Sequence, residues 1–375
     1  MYRYYEFRAL DRPLSSKEMA EVRQLSTRAL ITPTVFRNEY NWGDFRGDPF
    51  DLMVRYYDAH LFYTDGGDRQ LMLRLPKAAL DPAVVEPFLV WDYLELHPAG
   101  DNVILAFIVE NDEGDGWGYD AEEEGENWLA NLVSQRSELA SGDLRALYLG
   151  WLASVWDEGD EDSEEMQRLE PPVPPGLGEL SCSLSALADL LVLDQYLVKA
   201  AAEASVPLLQ PSSADFEEWV LALPQPEKDS LLVRLLRDGS PLARAELFQR
   251  WRAERGEATA QAPTRRTVAQ LLARADELEE TEQRQEEAEK AALRAAYLMD
   301  LSTREGEAWE EVEALIEKGH SSAYDRAAST LRDLQDLAVL QGRKQLFRDR
   351  IEDLRTRYAR RQAFLRRLDE VLSAG

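Results

Sequence analysis

Cysteine and histidine are nearly absent from this 375-residue chain, which contains Cys182, His60, His97 and His320 as its complete set. A structural zinc site uses four cysteine or histidine ligands at close spacing, and these four residues lie far apart. No histidine stands in a motif of nucleophilic catalysis, and neither a Walker motif nor a dinucleotide-binding glycine motif occurs. The sequence therefore predicts no catalytic, cofactor-binding or metal-binding residue.

Positive charge is also scarce, because 43 lysines and arginines stand against 71 acidic residues and give a net charge of −28. Residues 92–170 contain 22 acidic and 3 basic residues, whereas residues 343–367 contain 10 basic and 3 acidic ones. Such a charge favours solubility, repels nucleic acid at long range and favours a basic protein as partner. Nucleic acid remains an option only for the basic C-terminal helix.

Signals for export or membrane insertion are missing as well. One cysteine does not suit a disulfide-stapled secreted protein, and the N-terminal residues MYRYYEFRAL do not form a secretory signal. The most apolar stretch, residues 184–209, carries four charged side chains and does not suit a membrane span. We therefore predict a cytoplasmic protein without a membrane segment.

Strand and helix patterns alternate in residues 1–125. Residues 2–9 alternate aromatic and polar side chains as a strand does, and residues 15–18 have the form of a helix capping box. The sequence Asp-Gly-Gly-Asp at 65–68 separates two apolar runs and predicts a hairpin. We predict a small α+β domain with a mixed or antiparallel sheet, for which a ferredoxin-like arrangement is one option.

Helical patterns dominate the remainder of the chain. Residues 126–256 are predicted as a helical domain interrupted by an acidic, proline-rich linker at 157–176, with one apolar helix over residues 183–205. Residues 264–375 are predicted as an extended helical hairpin or coiled-coil-like region. Its first helix has an apolar stripe that lapses in the middle, which predicts burial only at the two ends.

The densest unusual segment is NEYNWGDFRGDP at residues 38–49. Aromatic and arginine side chains carry interface energy, so we take this loop as a partner-binding surface. A competing explanation is that Trp42 and Phe45 anchor the loop while Asp48 caps a helix. A further alternative is that Glu39, Asp44 and Asp48 hold a metal ion or act as an acid–base pair. The candidate partner-binding residues of the loop are Trp42, Asp44, Phe45, Arg46 and Asp48.

Two other charged segments are candidates for binding. The basic C-terminal helix, with Arg355, Arg360 and Arg361 as candidate binding residues, could hold phosphates or pair with the acidic residues 157–165 of the same or another copy. Residues 111–122 approach a calcium-loop pattern, but the first position is Asn and a strand precedes them, so no metal is predicted there.

The N-terminal module reads YYEF at 4–7, NEYNWGDF at 38–45 and LMLRLP at 71–76. In these motifs, and in the charged helical tail at 308–368, the chain resembles a group of uncharacterised bacterial proteins. The resemblance implies a bacterial cytosolic setting and supplies no catalytic residue.

The absence of a catalytic constellation, the polarised charge and the interrupted helical stripe together predict a non-enzymatic function. We expect an interaction or scaffold protein of a bacterial multi-protein system that binds a protein partner, basic in character, through the Trp42 loop and the C-terminal helices. Two alternatives remain open at this point. One is a metal-dependent hydrolase that uses the acidic residues of the 39–48 loop, and the other is an acidic inhibitor that mimics nucleic acid.

Overall fold

A computed structural model describes residues 2–111, 128–156, 163–208, 213–238, 247, 250, 251, 254 and 265–373. The chain divides into two compact units, Met1–Glu279 and Glu280–Gly375. The predicted division into three domains stays a prediction. The calcium-like pattern at 111–122 lies outside the described residues apart from Asn111, as do residues 157–162 of the predicted acidic linker.

Strands and short helices alternate at the start of the first unit. In the described part of the chain, seven strands form one sheet in the order β2-β3-β1-β4-β5-β7-β6, and every pairing is antiparallel. The elements are β1 (Arg3–Arg8), α1 (Ser16–Arg23), β2 (Leu30–Ile31), β3 (Val35–Tyr40), α2 (Pro49–Arg55), β4 (Ala59–Thr64), β5 (Arg69–Pro76), α3 (Pro82–Val85), β6 (Leu94–Ala99) and β7 (Asn102–Val109).

The first six of these elements follow the ferredoxin-like order β-α-β-β-α-β, and the sheet is then extended beyond β4 by β5, β7 and β6. The α+β class predicted from the sequence is confirmed. The capping box is also present, because Ser15 accepts a hydrogen bond from the Glu18 amide while the Glu18 carboxylate accepts one from Ser15. The Asp-Gly-Gly-Asp sequence joins β4 to β5 as a hairpin.

Both faces of the sheet are buried along its central strands, because side chains of β1, β4, β5 and β7 alternate between two hydrophobic clusters. On β1, Tyr4 belongs to one cluster, and Tyr5 and Phe7 belong to the other. The Phe7 face is covered by α1 and α2, through side chains such as Val22 and Leu52. The opposite face is covered by a layer of helices from the middle of the chain.

That helical layer approaches the sheet closely where a glycine faces it. A Cβ atom at Gly150 would lie 2.9 Å from the Phe107 ring and 3.1 Å from the Leu94 side chain, so only glycine fits without a shift. The helices of this region are α4 (Trp128–Leu132), α5 (Ser134–Ala140), α6 (Arg145–Leu152), α7 (Cys182–Leu190), α8 (Gln195–Ala202), α9 (Ser213–Ala222) and α10 (Gln225–Asp238).

The single helix expected over residues 183–205 is wrong, because two helices, α7 and α8, occupy this stretch. The Asp194 carboxylate accepts hydrogen bonds from the amides of Tyr196 and Leu197 and so begins a new helix. The apolar pattern continues through the break and therefore does not reveal it. The described part of the linker predicted at 157–176 contains packed residues, since Met166 is 3% and Glu170 is 1% exposed.

Buried ionic groups attach α11 (Val268–Thr303) to the first unit. Glu170 accepts hydrogen bonds from Arg266 at 2.8 and 2.7 Å and from the Tyr148 hydroxyl. A short backbone pairing of Leu169 with Thr267 lies beside them. These contacts hold the residues that lead into α11 in place.

The second unit contains the end of α11 and four further helices, α12 (Glu305–Lys318), α13 (Ser321–Leu340), α14 (Lys344–Arg357) and α15 (Gln362–Ser373). Trp309, Leu331, Ile351 and Phe364 are among its buried core residues. As predicted, α11 is buried at its ends and mostly exposed between them.

The basic C-terminal helix predicted to carry Arg355, Arg360 and Arg361 is interrupted, because the chain leaves the helical conformation between Arg357 and Gln362. Arg361 stands at this break and donates hydrogen bonds to the carbonyls of Ile316 and Glu317 at the end of α12. Capping those carbonyls offsets the interruption of the helix. Within the described residues, no helix combines the length and apolar character needed to cross a membrane.

Candidate functional site

The predicted partner-binding loop connects β3 to α2 and carries an exposed tryptophan. The Trp42 side chain is 90% exposed, although tryptophan is one of the most strongly buried residue types on average. The following residue, Gly43, has a φ angle of 89°, a conformation that favours glycine. The tight turn at Gly43 places Trp42 at the tip of the loop.

Hydrogen bonds to Asp44 hold the loop in place. The Tyr5 hydroxyl and the Phe45 amide both donate to Asp44 Oδ1, at 2.7 and 2.8 Å. Arg3 lies 3.3 Å from the other carboxylate oxygen and donates a 2.8 Å hydrogen bond to the Gly43 carbonyl. Burial, followed by the hydrogen bond to Asp44, raises the pKa of Tyr5 and keeps its phenol protonated as a donor.

Besides Asp44, two of the five predicted loop residues have structural roles. Phe45 is 9% exposed, and its ring lies 5.4 Å from that of Tyr5 and 5.5 Å from that of Phe36. Asp48 caps α2 by accepting hydrogen bonds from the amides of Phe50 and Asp51. The explanation by anchoring and capping is therefore correct for Phe45 and Asp48, and wrong for Trp42, whose side chain is exposed.

The other three loop residues, Trp42, Asp44 and Arg46, line a cleft of about 520 Å³. Its opposite wall is the connection between α1 and β2, residues 24–28. The two walls are joined by a buried hydrogen bond of 2.9 Å from the Asn38 amide to the Ser26 hydroxyl. The cleft thus has a fixed floor, and its walls come from both ends of the β2–β3 hairpin.

The edge of the sheet next to this cleft is incompletely paired. Strand β2 is two residues long and pairs only with Phe36 and Arg37 of β3. The later β3 residues Asn38, Glu39 and Tyr40 line the cleft. A short edge strand of this kind limits edge-to-edge aggregation.

The sequence does not indicate the wall formed by residues 24–28. Ser26 and Arg28 lie more than ten positions before the Trp42 loop and have no distinctive motif. Pairing of β2 with β3 brings them to the cleft, and a two-residue strand leaves almost no pattern to recognise.

Two of the three acidic residues suggested as metal ligands already have hydrogen-bond or ionic partners. Asp44 is held by Tyr5 and Arg3, and Asp48 by the first turn of α2. Across the described residues, no group of three or more histidine, cysteine, aspartate or glutamate side chains is arranged to hold a metal ion. The inhibitor hypothesis depends on residues 157–165, and only 163–165 of these are described.

The three candidate arginines of the basic C-terminal helix are separated by the break in that helix. Arg355 pairs with Asp369, and Arg361 caps α12 and contacts the Tyr324 hydroxyl at 3.2 Å. Arg360 is exposed. Two of these three cations thus stabilise the second unit itself, which limits their use in binding phosphates.

Comparison with protein-family models, with curated proteins and with solved structures finds no match for this chain.

Proposed function

We propose that the protein is a non-enzymatic interaction protein that binds a protein partner through the Trp42 cleft. The observation that carries the proposal is the 90% exposed indole of Trp42 on a loop tied down through Asp44. An exposed tryptophan gains apolar contact when a partner covers it. A loop that is already ordered loses little conformational entropy on binding.

The partner of this cleft presents an apolar pocket or ring for Trp42 and hydrogen-bonding groups at its rim. The cleft carries cations from Arg28 and Arg46 and carboxylates from Glu39 and Asp44. This mixture suits a protein surface better than a uniformly anionic ligand, because a nucleic acid would meet both carboxylates. The net charge of −28 favours a partner that is basic overall.

The setting we propose is the bacterial cytoplasm, in agreement with the resemblance of the N-terminal module to bacterial proteins. The C-terminal helices provide a second contact surface of the scaffold. Their interrupted apolar stripe leaves exposed side chains such as Leu293 and Met299, which are 65% and 68% exposed. Apolar side chains of this size contribute binding energy when a partner covers them.

The proposal is tested by quantitative affinity capture of the tagged protein from its native host, at low and high salt. Wild type is compared with Trp42→Ala and with Trp91→Ala. Trp91 is a suitable control because its side chain is 77% exposed and does not line the cleft. Circular dichroism confirms that both variants are folded.

The expected result is a stoichiometric protein that is retained by wild type and by Trp91→Ala and is lost from Trp42→Ala. The same proteins in all three captures would contradict the role of Trp42. No protein above background at either salt concentration would contradict the interaction function as a whole.

A further inference from the structure

A second groove of the first unit is apolar at its base and acidic at its rim. It has a volume of about 360 Å³ and lies between the end of α6, the turn from α7 to α8 and the start of α11. Trp156 and Val192 line it and are 52% and 39% exposed. Among the described residues, the charged ones that line it are all acidic, namely Asp194, Asp276 and Glu279. A ligand of this groove therefore combines large apolar side chains with positive charge.

The backbone beside this groove is strained at a residue whose side chain lines it. Val192 has a φ angle of 55°, which is costly for a β-branched residue. Its amide donates to the Asp189 carbonyl, and the Leu193 amide donates to the Ala188 carbonyl at 3.0 Å. These two bonds make the Schellman helix ending, in which glycine is the usual residue at the position of Val192. The valine places an apolar side chain in the groove at a cost in stability.

The second unit carries an apolar surface with basic residues, opposite in charge to the groove, at the turn from α13 to α14. Val339, Leu340 and Leu346 are 48%, 58% and 66% exposed. Residues 339–348, which we call the basic turn, contain Arg343, Lys344 and Arg348 and no acidic residue. Among the described residues, none of these three cations takes part in an ion pair.

The basic turn has the rigidity that a docking element needs. Gly342 has a φ angle of 67° and allows the chain to reverse direction sharply. Phe347, at 6% exposure, anchors the start of α14 in the core of the second unit. Leu346 therefore projects from a fixed position, and little conformational entropy is lost when a surface covers it.

We infer that the basic turn of one copy of this chain docks into the Trp156 groove of a second copy. Exposed leucines meet the apolar base of the groove, and the three cations meet its acidic rim. The two surfaces differ, so the contact is heterologous and each copy can bind two others. The contact uses neither Trp42 nor its cleft, and it goes beyond the partner binding proposed above.

The first test is sedimentation equilibrium of the full chain over a wide range of protein concentration, at low and high salt. The expected weight-average mass rises above the monomer value of 42.7 kDa with concentration, and it rises less at high salt. Trp156→Ala and Leu346→Ser each weaken association at least about tenfold. Trp42→Ala and Leu293→Ser, which alter exposed side chains elsewhere, leave it unchanged.

Mixing the two weakened variants tests the heterologous geometry. Trp156→Ala retains an intact basic turn, and Leu346→Ser retains an intact groove. Each variant alone associates at least about tenfold more weakly than the wild-type chain, whereas the mixture associates with the wild-type affinity into a 1:1 dimer that does not grow further. A mixture that stays monomeric would overturn the proposed geometry.

Val192→Gly tests whether association can weaken without a loss of folding stability. Glycine removes the backbone strain and the groove side chain together, so the variant is expected to melt at a higher temperature than wild type and to associate at least about tenfold more weakly. A wild-type chain that remains at 42.7 kDa at every concentration overturns the proposal and leaves the groove to a different partner. Association that is unchanged in Trp156→Ala, Leu346→Ser and Val192→Gly also overturns it.

Discussion

The hydroxyl of Tyr5 on β1 donates a 2.7 Å hydrogen bond to the Asp44 carboxylate, across 39 residues of sequence. This contact connects the exposed Trp42 loop to the core of the first unit, because Tyr5 is 7% exposed and packs against the rings of Phe45 and Phe62. The order of the loop therefore depends on a residue of the first strand.

Removal of the Tyr5 hydroxyl is expected to loosen this loop without unfolding the protein. Tyr5→Phe should lower the free energy of unfolding by about 1 kcal/mol, because one hydrogen bond to a partly exposed carboxylate is lost. Chemical denaturation followed by tryptophan fluorescence measures this change. In a double-mutant cycle with Asp44→Ala, which removes the acceptor, the two effects should be less than additive. Strict additivity would show that the hydrogen bond does not contribute.

The buried histidine His60 predicts a pH dependence of stability. His60 is fully buried, its Nδ1 lies 2.9 Å from the Glu6 carbonyl, and its ring stacks on Phe7. Burial lowers its pKa from 6.5 to about 3. Below pH 6.5 the unfolded chain therefore binds a proton at His60 that the folded chain does not bind. The stability that neutral His60 contributes is present above pH 6.5 and is lost as the pH falls.

The expected loss is about 2 kcal/mol of unfolding free energy between pH 7 and pH 5 from this residue. His60→Phe should show an acid dependence that is weaker than that of wild type by this amount. His320→Asn is the control, because His320 is exposed and caps α13, a role that asparagine also fills. Identical pH dependence of wild type and His60→Phe in urea titrations would refute the account.

The ion pair of Glu170 with Arg266 should be costly to break. Glu170→Gln leaves a partly buried guanidinium without its counter-charge, and we expect the free energy of unfolding to fall by about 3 kcal/mol. Arg284→Ala removes an exposed pair with Glu280 on the same helix, α11, and should have no measurable effect. Equal stability of the two variants in urea would contradict the anchoring role of Glu170.

The close approach of α6 to the sheet predicts opposite effects of two glycine substitutions. Gly150→Ala should destabilise the protein by about 1–3 kcal/mol, because the new methyl group collides with Phe107 and Leu94. At Gly306, in α12, a Cβ atom would meet nothing within 4 Å, so Gly306→Ala should be neutral or mildly stabilising. Thermal unfolding of both variants distinguishes these effects, and a stable Gly150→Ala protein would refute the packing argument.

The sequence predicts well those features that depend on local patterns. The capping box at Ser15, the hairpin at 65–68 and the cap of α2 by Asp48 each involve residues within a few positions of one another. The α+β class follows from the alternation of strand and helix patterns along residues 1–125.

Local sequence patterns do not reveal features that depend on long-range contacts or on a backbone conformation that the residue type disfavours. The break between α7 and α8 involves a left-handed valine, which no propensity favours, and the end of α14 is compensated by Arg361 reaching back to α12. The cleft wall at 24–28 depends on a two-residue strand. For the end of α14 and for the cleft wall, a distant contact decides the local conformation, so a local pattern cannot report it.

The central claim is that Trp42 is the main contact of the proposed interaction. The most direct measurement is the dissociation constant of the captured partner, by isothermal titration calorimetry, for wild type, Trp42→Ala and Trp91→Ala. The account predicts that Trp42→Ala raises the dissociation constant by at least about thirtyfold, the effect of losing a central tryptophan, while Trp91→Ala leaves it unchanged. An affinity of folded Trp42→Ala equal to that of wild type would contradict the account.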